Sequence, residues 1–254
     1  MKKSISNKNK YYLLGVIFII LIWSIFSLVF DENQMIFPNI FLVFSKMIEL
    51  LKQEYTYVCL FYTLIRLVIG FVIAIVLSII LGTISGTNKK FKYFLQPLLT
   101  LLKTVPTASL VFLFLVLSGA KSAPIYIVVL ICFPILYEAV VAGYENIDTA
   151  IDNALKLESD NYLKKIVKVK FPLAKPYILV GIASSLGLSF KIEVMAEILT
   201  GYTNSGLGSV ISYVQKADPT NMTGIFAYSL IAIIISLVID LICEKLININ
   251  LWNK

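Results

Sequence analysis

Residues 58–81 form an unbroken apolar run in which Arg66 is the only charge. At about 1.5 Å per helical residue, a run of roughly 20 residues crosses the ~30 Å hydrocarbon core of a bilayer. Comparable runs lie at residues 11–30, 97–117, 124–141, 177–199 and 223–243. Hydrophobic residues make up 59% of the chain, more than a soluble domain carries. The expected fold class is an all-α membrane protein, a six-helix transmembrane bundle.

Lysines order the path through the membrane. Lys2, Lys3, Lys8 and Lys10 precede the first run, Lys89, Lys90 and Lys92 follow the second, and Lys164, Lys165, Lys168, Lys170 and Lys175 separate the fourth from the fifth. Residues 119–123 and 200–221 carry few. The positive-inside rule then places both termini, residues 1–10 and 244–254, in the cytoplasm. The first run is too long for a signal-peptide core and lacks a small-residue cleavage site, so it is expected to stay as an uncleaved helix. Residues 31–57 and 200–222 become external. Within the former, Ile40, Phe41, Phe44, Met47, Ile48 and Leu51 space an amphipathic helix over 38–52, lying along the outer surface. Pro106 and Pro134 are expected to kink the third and fourth spans. The net charge of +7 resides mainly in lysines that flank spans, which excludes nucleic acid as a partner.

Other chemistries are excluded by what is missing or misplaced. Without a histidine, neither a zinc-protease motif nor a Ser/His/Asp triad can form. Cys59, Cys132 and Cys243 are far apart in apolar runs, at no metal or redox spacing. The turn from Gly82 to Lys89 is not a phosphate loop, because Thr87 occupies the place of the required second glycine. Glu193 and Glu197, four apart on one helical face, are the nearest approach to an acid–base cluster.

Residues 148–176 are the one long interruption rich in both signs of charge. Their apolar residues, Ile151, Ala154 and Leu155, then Leu163, Ile166 and Val167, read as two short helices joined by the polar turn Glu158-Ser159-Asp160-Asn161. A disordered linker would have no such periodicity. An apolar face on a water-exposed segment needs a partner to cover it.

With its proline placed on Pro172, this segment resembles the cytoplasmic EAA loop of the membrane-spanning subunits of ABC importers, Glu-Ala-Ala, three residues, Gly, nine residues, Ile-x-Leu-Pro. Asn153, Ala154 and Leu155 stand at the opening triplet, Ser159 at the glycine, and Val169 and Phe171 before the proline. Asp160 and Asn161 can still make the turn the glycine would make. Thr63–Phe71, Lys103–Ala108, Ala142–Asp148, Phe171–Gly181, Ser189–Lys191 with Ala196 and Glu197, and Ser205–Gly208 resemble, in order and spacing, stretches of permeases of the nitrate, sulfonate and taurine group. The resemblance covers roughly residues 50–242. It implies a type I importer permease of a bacterial plasma membrane, with residues 142–176 as the coupling loop. Two copies, expected as a homodimer, would form the pathway, and an external solute-binding protein would deliver the solute. Two cytoplasmic ATPase subunits, holding the ATP and Mg, would dock on Asn153, Ala154, Leu155, Ser159, Asp160, Leu163 and Pro172. The chain itself would be no enzyme and would bind no metal or cofactor. The solute would be small and polar, expected as an anion, of the sulfonate, taurine, nitrate or bicarbonate type, or alternatively an uncharged or aromatic one such as a thiamine pyrimidine precursor. A stand-alone carrier would more often show paired internal repeats, and the 153–172 pattern has no second copy.

Charges inside spans are costly and usually face a cavity or a partner. With outer ends near residues 58 and 199, Arg66 and Lys191 lie about 12 Å deep, Glu193 about 9 Å and Glu197 about 3 Å. Two readings follow. Arg66 and Glu193 form a structural pair, or Arg66 or Lys191 lines the pathway and favours an anion, with Glu197 an interfacial or gate residue. Lys103 lies near an inner end and can snorkel.

Overall fold

Small residues recur at every fourth position along the second apolar run, at Gly70, Ala74, Ser78, Gly82 and Gly86. In a membrane such a stripe lets two helices approach closely, and the bundle is built on it. The computed structural model describes residues 2–29, 37–158, 161–201 and 205–252. The described elements are helical: α1 (Lys2–Val29), α2 (Ile40–Leu51), α3 (Glu54–Thr87), α4 (Lys89–Thr104), α5 (Thr107–Ser118), α6 (Ala123–Glu145), α7 (Thr149–Leu157), α8 (Tyr162–Lys165), a π-helical turn (Ile166–Lys170), α9 (Phe171–Thr200), α10 (Leu207–Ala217) and α11 (Met222–Trp252).

The stripe on α3 packs against α6. A Cβ at Gly70 would meet the Ile125 carbonyl and Val128, one at Gly82 would meet Val140, and one at Gly86 would meet Tyr144. Ser78 Oγ donates to the Phe133 carbonyl at 3.1 Å. Contacting residue numbers rise together, so α3 and α6 run parallel. Parallel neighbours must be joined by a segment that brings the chain back across, and α4 with α5 is that segment.

The third run, expected as one span over 97–117, is two helices meeting at 99°. Proline biases the residue before it away from helical backbone. Val105 (φ −67°, ψ 129°) and Pro106 (φ −57°, ψ 128°) are both extended, and the chain turns there. Pro97 and Pro134 lie inside helices that continue past them.

The helix expected to start at 177 instead runs without a break over Tyr162–Thr200. Pro172 and Pro176 do not end it. A proline ring clashes with the carbonyl four residues back, and the wider π turn just before Pro172, where the Phe171 N–H bonds the Ile166 carbonyl, gives it room. The helix stops at Gly201, left-handed at φ 61°, whose N–H bonds the Glu197 carbonyl. It packs antiparallel to α6: a Cβ at Gly143 would meet Ala174, and one at Gly181 would meet Ala139.

By length and apolarity, α3, α6, the Tyr162–Thr200 helix and α11 can each cross a membrane, and α4–α5 makes a fifth span if the bent pair is one. The apolar part of α1 is shorter, Leu13–Val29. Trp23 anchors its C-terminal part, tilted against Phe37, edge-on to Phe226 and donating to the Pro38 carbonyl at 3.2 Å. On α2 the expected apolar face is divided. Val43, Met47 and Leu50 are buried in one cluster with Ala227, Tyr228 and Ile231 of α11, whereas Phe41, Phe44, Ile48 and Leu51 stay exposed. A helix apolar nearly all round can serve protein on one side and lipid on the other.

Candidate functional site

Near the C-terminal end of α9, the Glu197 carboxylate is 1% exposed and fully engaged. Arg66 on α3 donates to Oε1 at 2.6 Å, Thr63 donates to Oε2 at 2.9 Å, and the Gly208 N–H donates to Oε2 at 2.9 Å. Arg66 donates further to the carbonyl and the hydroxyl of Ser205, each at 2.9 Å, and the Leu207 N–H donates to Thr63 Oγ1 at 2.8 Å. Gly206, at φ 134°, leaves the place where any side chain would overlap the carboxylate. The arrangement is a latch: it fastens residues 205–208, and through them α10, onto α3 and α9.

Arg66 therefore pairs with Glu197, not with Glu193. Depth along the helix axis misses the reason. Every Cα–Cβ bond tilts toward its helix's N-terminus, and α3 and α9 run in opposite directions. Arg66 and Glu197 therefore lean toward each other along the axis and meet; Glu193 is carried away from the meeting point. Thr63 and Ser205 complete the latch. The sequence offered them only as members of family-like stretches.

Glu193 is 0% exposed, and neither carboxyl oxygen has a hydrogen-bond partner among the described residues. Lys191 is the opposite case. Its side chain is 60% exposed, with Nζ 3.8 Å from a carboxylate oxygen of Asp240 on α11, itself 45% exposed. The Asp240 carboxylate lies over Gly187, where a Cβ would collide with it. Both charges border a groove of about 480 Å³ between α9 and α11, whose other walls include Val194, Ile198, Ile233 and Leu237. The structure thus separates the two basic residues: Arg66 is enclosed and engaged, and Lys191 is presented outward. Asp240 was detectable only as an acid inside the last apolar run. Elsewhere, Lys92 and Lys103 of α4 pair with Glu145 and Glu138 of α6.

The elbow consists of α7, as the periodicity from Ile151 predicts, and of α8, which the sequence suggests as a second short helix but which is the first turn of the unbroken Tyr162–Thr200 helix. Asp148 caps α7 by accepting from the Ala150 N–H at 2.8 Å, and Asn161 caps α8 by accepting from the Leu163 N–H at 3.2 Å. Lys165 donates to the carbonyls of Leu155 and Glu158 at 2.5 and 2.6 Å, placing a cation at the C-terminal end of α7, where the helix dipole favours it. Lys170 pairs with Asp152 at 2.5 Å. Asn153, Ala154, Leu163 and Pro172 are exposed, and Leu157 is 90% exposed. Leu155, expected on the outward face, is buried. Ser159 and Asp160 lie outside the described residues.

Residues 74–247 match the family of binding-protein-dependent transport system inner membrane components. The chain is 27% identical over 164 residues to a Bacillus subtilis (strain 168) protein named as the aliphatic sulfonates transport permease SsuC, across 63% of this chain and 59% of that one. It is 25% identical over 155 residues to the nitrate import permease protein NrtB of Leptolyngbya laminosa, across 60% and 55%. These alignments span less than two thirds of either relative. The fold matches inward-facing conformations of the MetNI methionine ABC transporter in two crystal forms, with TM-scores of 0.60 and 0.61 at 15% and 19% identity. The matches cover 77% and 80% of this chain and 94% and 97% of the others, and at these identities the likeness is one of fold.

Proposed function

The chain belongs to the family of binding-protein-dependent transport system inner membrane components, and from that premise we propose that it is the membrane-spanning permease of an ATP-driven importer. Two copies form the pathway, a solute-binding protein delivers from outside, and two cytoplasmic subunits hold the ATP and Mg and carry out hydrolysis. Both termini lie in the cytoplasm of a bacterial cell. The relatives named for sulfonate and nitrate transport favour a small anion as the solute.

The observation that carries this reading is the elbow itself. Two capped helices, cross-tied by Lys165 and Lys170, join α6 to α9, and α7 turns Ile151, Ala154 and Leu157 outward. Such a surface in water requires a protein partner. A groove on the ATPase takes α7, and closure of the nucleotide sites moves α6 and α9 together. Coupling of this kind is a free energy both sites share. Of the intramembrane charges, Lys191 serves the pathway and Arg66 does not. An exposed ammonium deep in a span must face water or protein, not lipid, whereas the Arg66 guanidinium is enclosed.

The test is Leu157→Asp in permease co-expressed with its ATPase and reconstituted in vesicles. The variant should insert and keep its thermal stability while solute uptake per ATP hydrolysed falls at least about tenfold, the effect of losing about 1.4 kcal/mol of coupling. Unchanged uptake would remove α7 as the docking element.

A further inference from the structure

We propose that an anionic phospholipid of the inner leaflet binds in a second groove, with its acyl chain between α3 and the start of the long helix and its phosphate on Lys164 and Lys168. The groove has a volume of about 640 Å³, and its walls include Ile80 and Ile84 on α3, Val167 and Phe171 before and at the start of α9, and Tyr144 of α6 at its back. The Tyr144 hydroxyl is held by Thr83 at 3.2 Å, so the back wall is closed by an internal bond.

Position and charge together specify the occupant. The groove follows the inner end of α3, between the apolar run and the lysines that mark the cytoplasmic boundary. Its polar rim is Asn88, which caps α4 immediately before Lys89 and Lys90. On the other wall Leu163 and Val167, four apart, face the groove. Lys164 and Lys168 form the adjoining stripe, since residues four apart stack on one helix face. Neighbouring lysines are engaged: Lys165 with two carbonyls, Lys170 with Asp152, Lys92 with Glu145. Lys164, Lys168, Lys89 and Lys90 have no ion-pair partner among the described residues. A cleft with apolar walls below and unpaired ammonium groups above fits a diacyl phosphodiester. A peptide helix would need acidic residues spaced to reach both rims, and a zwitterionic headgroup would leave the lysines uncompensated.

The experiment places a reporter in the groove, Val167→Trp, in full-length chain carrying Trp23→Phe and Trp252→Phe, in nanodiscs of phosphatidylcholine. Dibrominated phosphatidylglycerol or dibrominated phosphatidylcholine is titrated as quencher. Half-maximal quenching by the phosphatidylglycerol should come at a mole fraction at least about fivefold lower, given what lysines contribute near an anionic surface. Lys164→Gln with Lys168→Gln should make the two lipids equal. A reporter at Val68, on the exposed apolar side of α3, should not distinguish them. Leu163→Trp is the second reporter if Val167→Trp does not yield monodisperse protein. Equal quenching in the parent would make the groove ordinary lipid annulus. No quenching by either lipid would mean that protein covers it, and a preference that survives the double substitution would remove the lysines from the site. Each of these results overturns the proposal without touching the transport reading, which rests on α7.

Discussion

Arg66→Met tests the latch most directly. Methionine fills much of the volume of the arginine stem, so the cavity left behind is small and the loss is mainly of charge and hydrogen bonds. Glu197 would keep Thr63 and Gly208 as donors but would become a buried carboxylate with no cation. Breaking a buried pair from one side costs about 3–5 kcal/mol. The Ser205 carbonyl also loses its guanidinium donor, which at about 1–3 kcal/mol for an orphaned buried acceptor puts the total at the upper end of that range. At about 2–4 °C per kcal/mol for a chain of this size, thermal unfolding in detergent should fall by about 8–20 °C. Glu197→Gln should cost a similar amount, because it removes the carboxylate that the Arg66 guanidinium meets at 2.6 Å. Combined, the two should recover about 2–3 kcal/mol relative to the sum of the single losses, the signature of groups in direct contact. The measurement is a double-mutant cycle by mixed-micelle unfolding, with thermal melting alongside. The reasoning fails if Arg66→Met melts within about 2 °C of the parent, or if the double loss equals the sum.

Three further outcomes follow from other parts of the molecule. Leu155→Asp buries an unpaired carboxylate and should lower stability by about 2–4 kcal/mol, whereas Ala154→Asp, on the exposed side of the same helix, should melt with the parent yet lose coupled uptake; equal melting of the two would contradict the assigned faces. Lys191→Met should reduce uptake of an anionic solute at least about tenfold while Arg66→Lys, which keeps a cation in the latch, should change uptake less than threefold, about 0.7 kcal/mol; tracer uptake decides it, and the reverse order would return Arg66 to the pathway. Gly82→Val forces a side chain into Val140 and should cost about 1–3 kcal/mol or more, whereas Gly15→Val, with nothing within 4 Å, should be neutral by melting.

The apolar runs and the elbow were legible because each rests on local rules. Run length sets a span, the period that begins at Ile151 sets the short α7 although its second half belongs to the long helix, and Asp148 and Asn161 are cap residues in cap positions. What could not be read depended on direction or on contact. The Val105–Pro106 break and the unbroken passage through Pro172 and Pro176 involve the same residue type with opposite results. At Pro172 the difference is the π turn that precedes it, which no proline rule alone specifies, whereas Pro176 passes within ordinary α-helix. Pairing Arg66 with Glu193 came from counting rise along the axis while ignoring the tilt of the side chains. Leu155 is buried where Lys165, ten residues on, ties its carbonyl to the start of the long helix, a contact that no local period announces. Asp240 gains meaning only beside Lys191 and Gly187, which no spacing rule connects to it.

The same geometry decides which parts can move. The helix from Tyr162 to Thr200 is about 58 Å long at the helical rise. One end is tied to α7 through Lys165, and Glu197 near the other end holds the latch. Gly143 against Ala174 and Gly181 against Ala139 lock this helix to α6, and the small-residue stripe locks α6 to α3. Closely packed interiors transmit displacement instead of absorbing it, so α3, α6 and α9 respond to a push on α7 as one body. The α4–α5 pair is built differently. Its two helices are joined only by the extended Val105 and Pro106, and a few extended residues between rigid helices are where a hinge absorbs a change in φ and ψ. In the proposed importer, the Val105–Pro106 joint then lets α4 change its angle to α5, while α5, whose Leu110 and Val111 are buried with Phe71, Ala74, Ile127 and Ile192, stays on the α3–α6–α9 body with the latch and α10. Cross-linking α5 to α6 through cysteines at Phe114 and Tyr126, whose rings stack at 5.5 Å, should therefore leave both uptake and ATP hydrolysis running, and loss of uptake through the cross-link would place a moving boundary between α5 and α6.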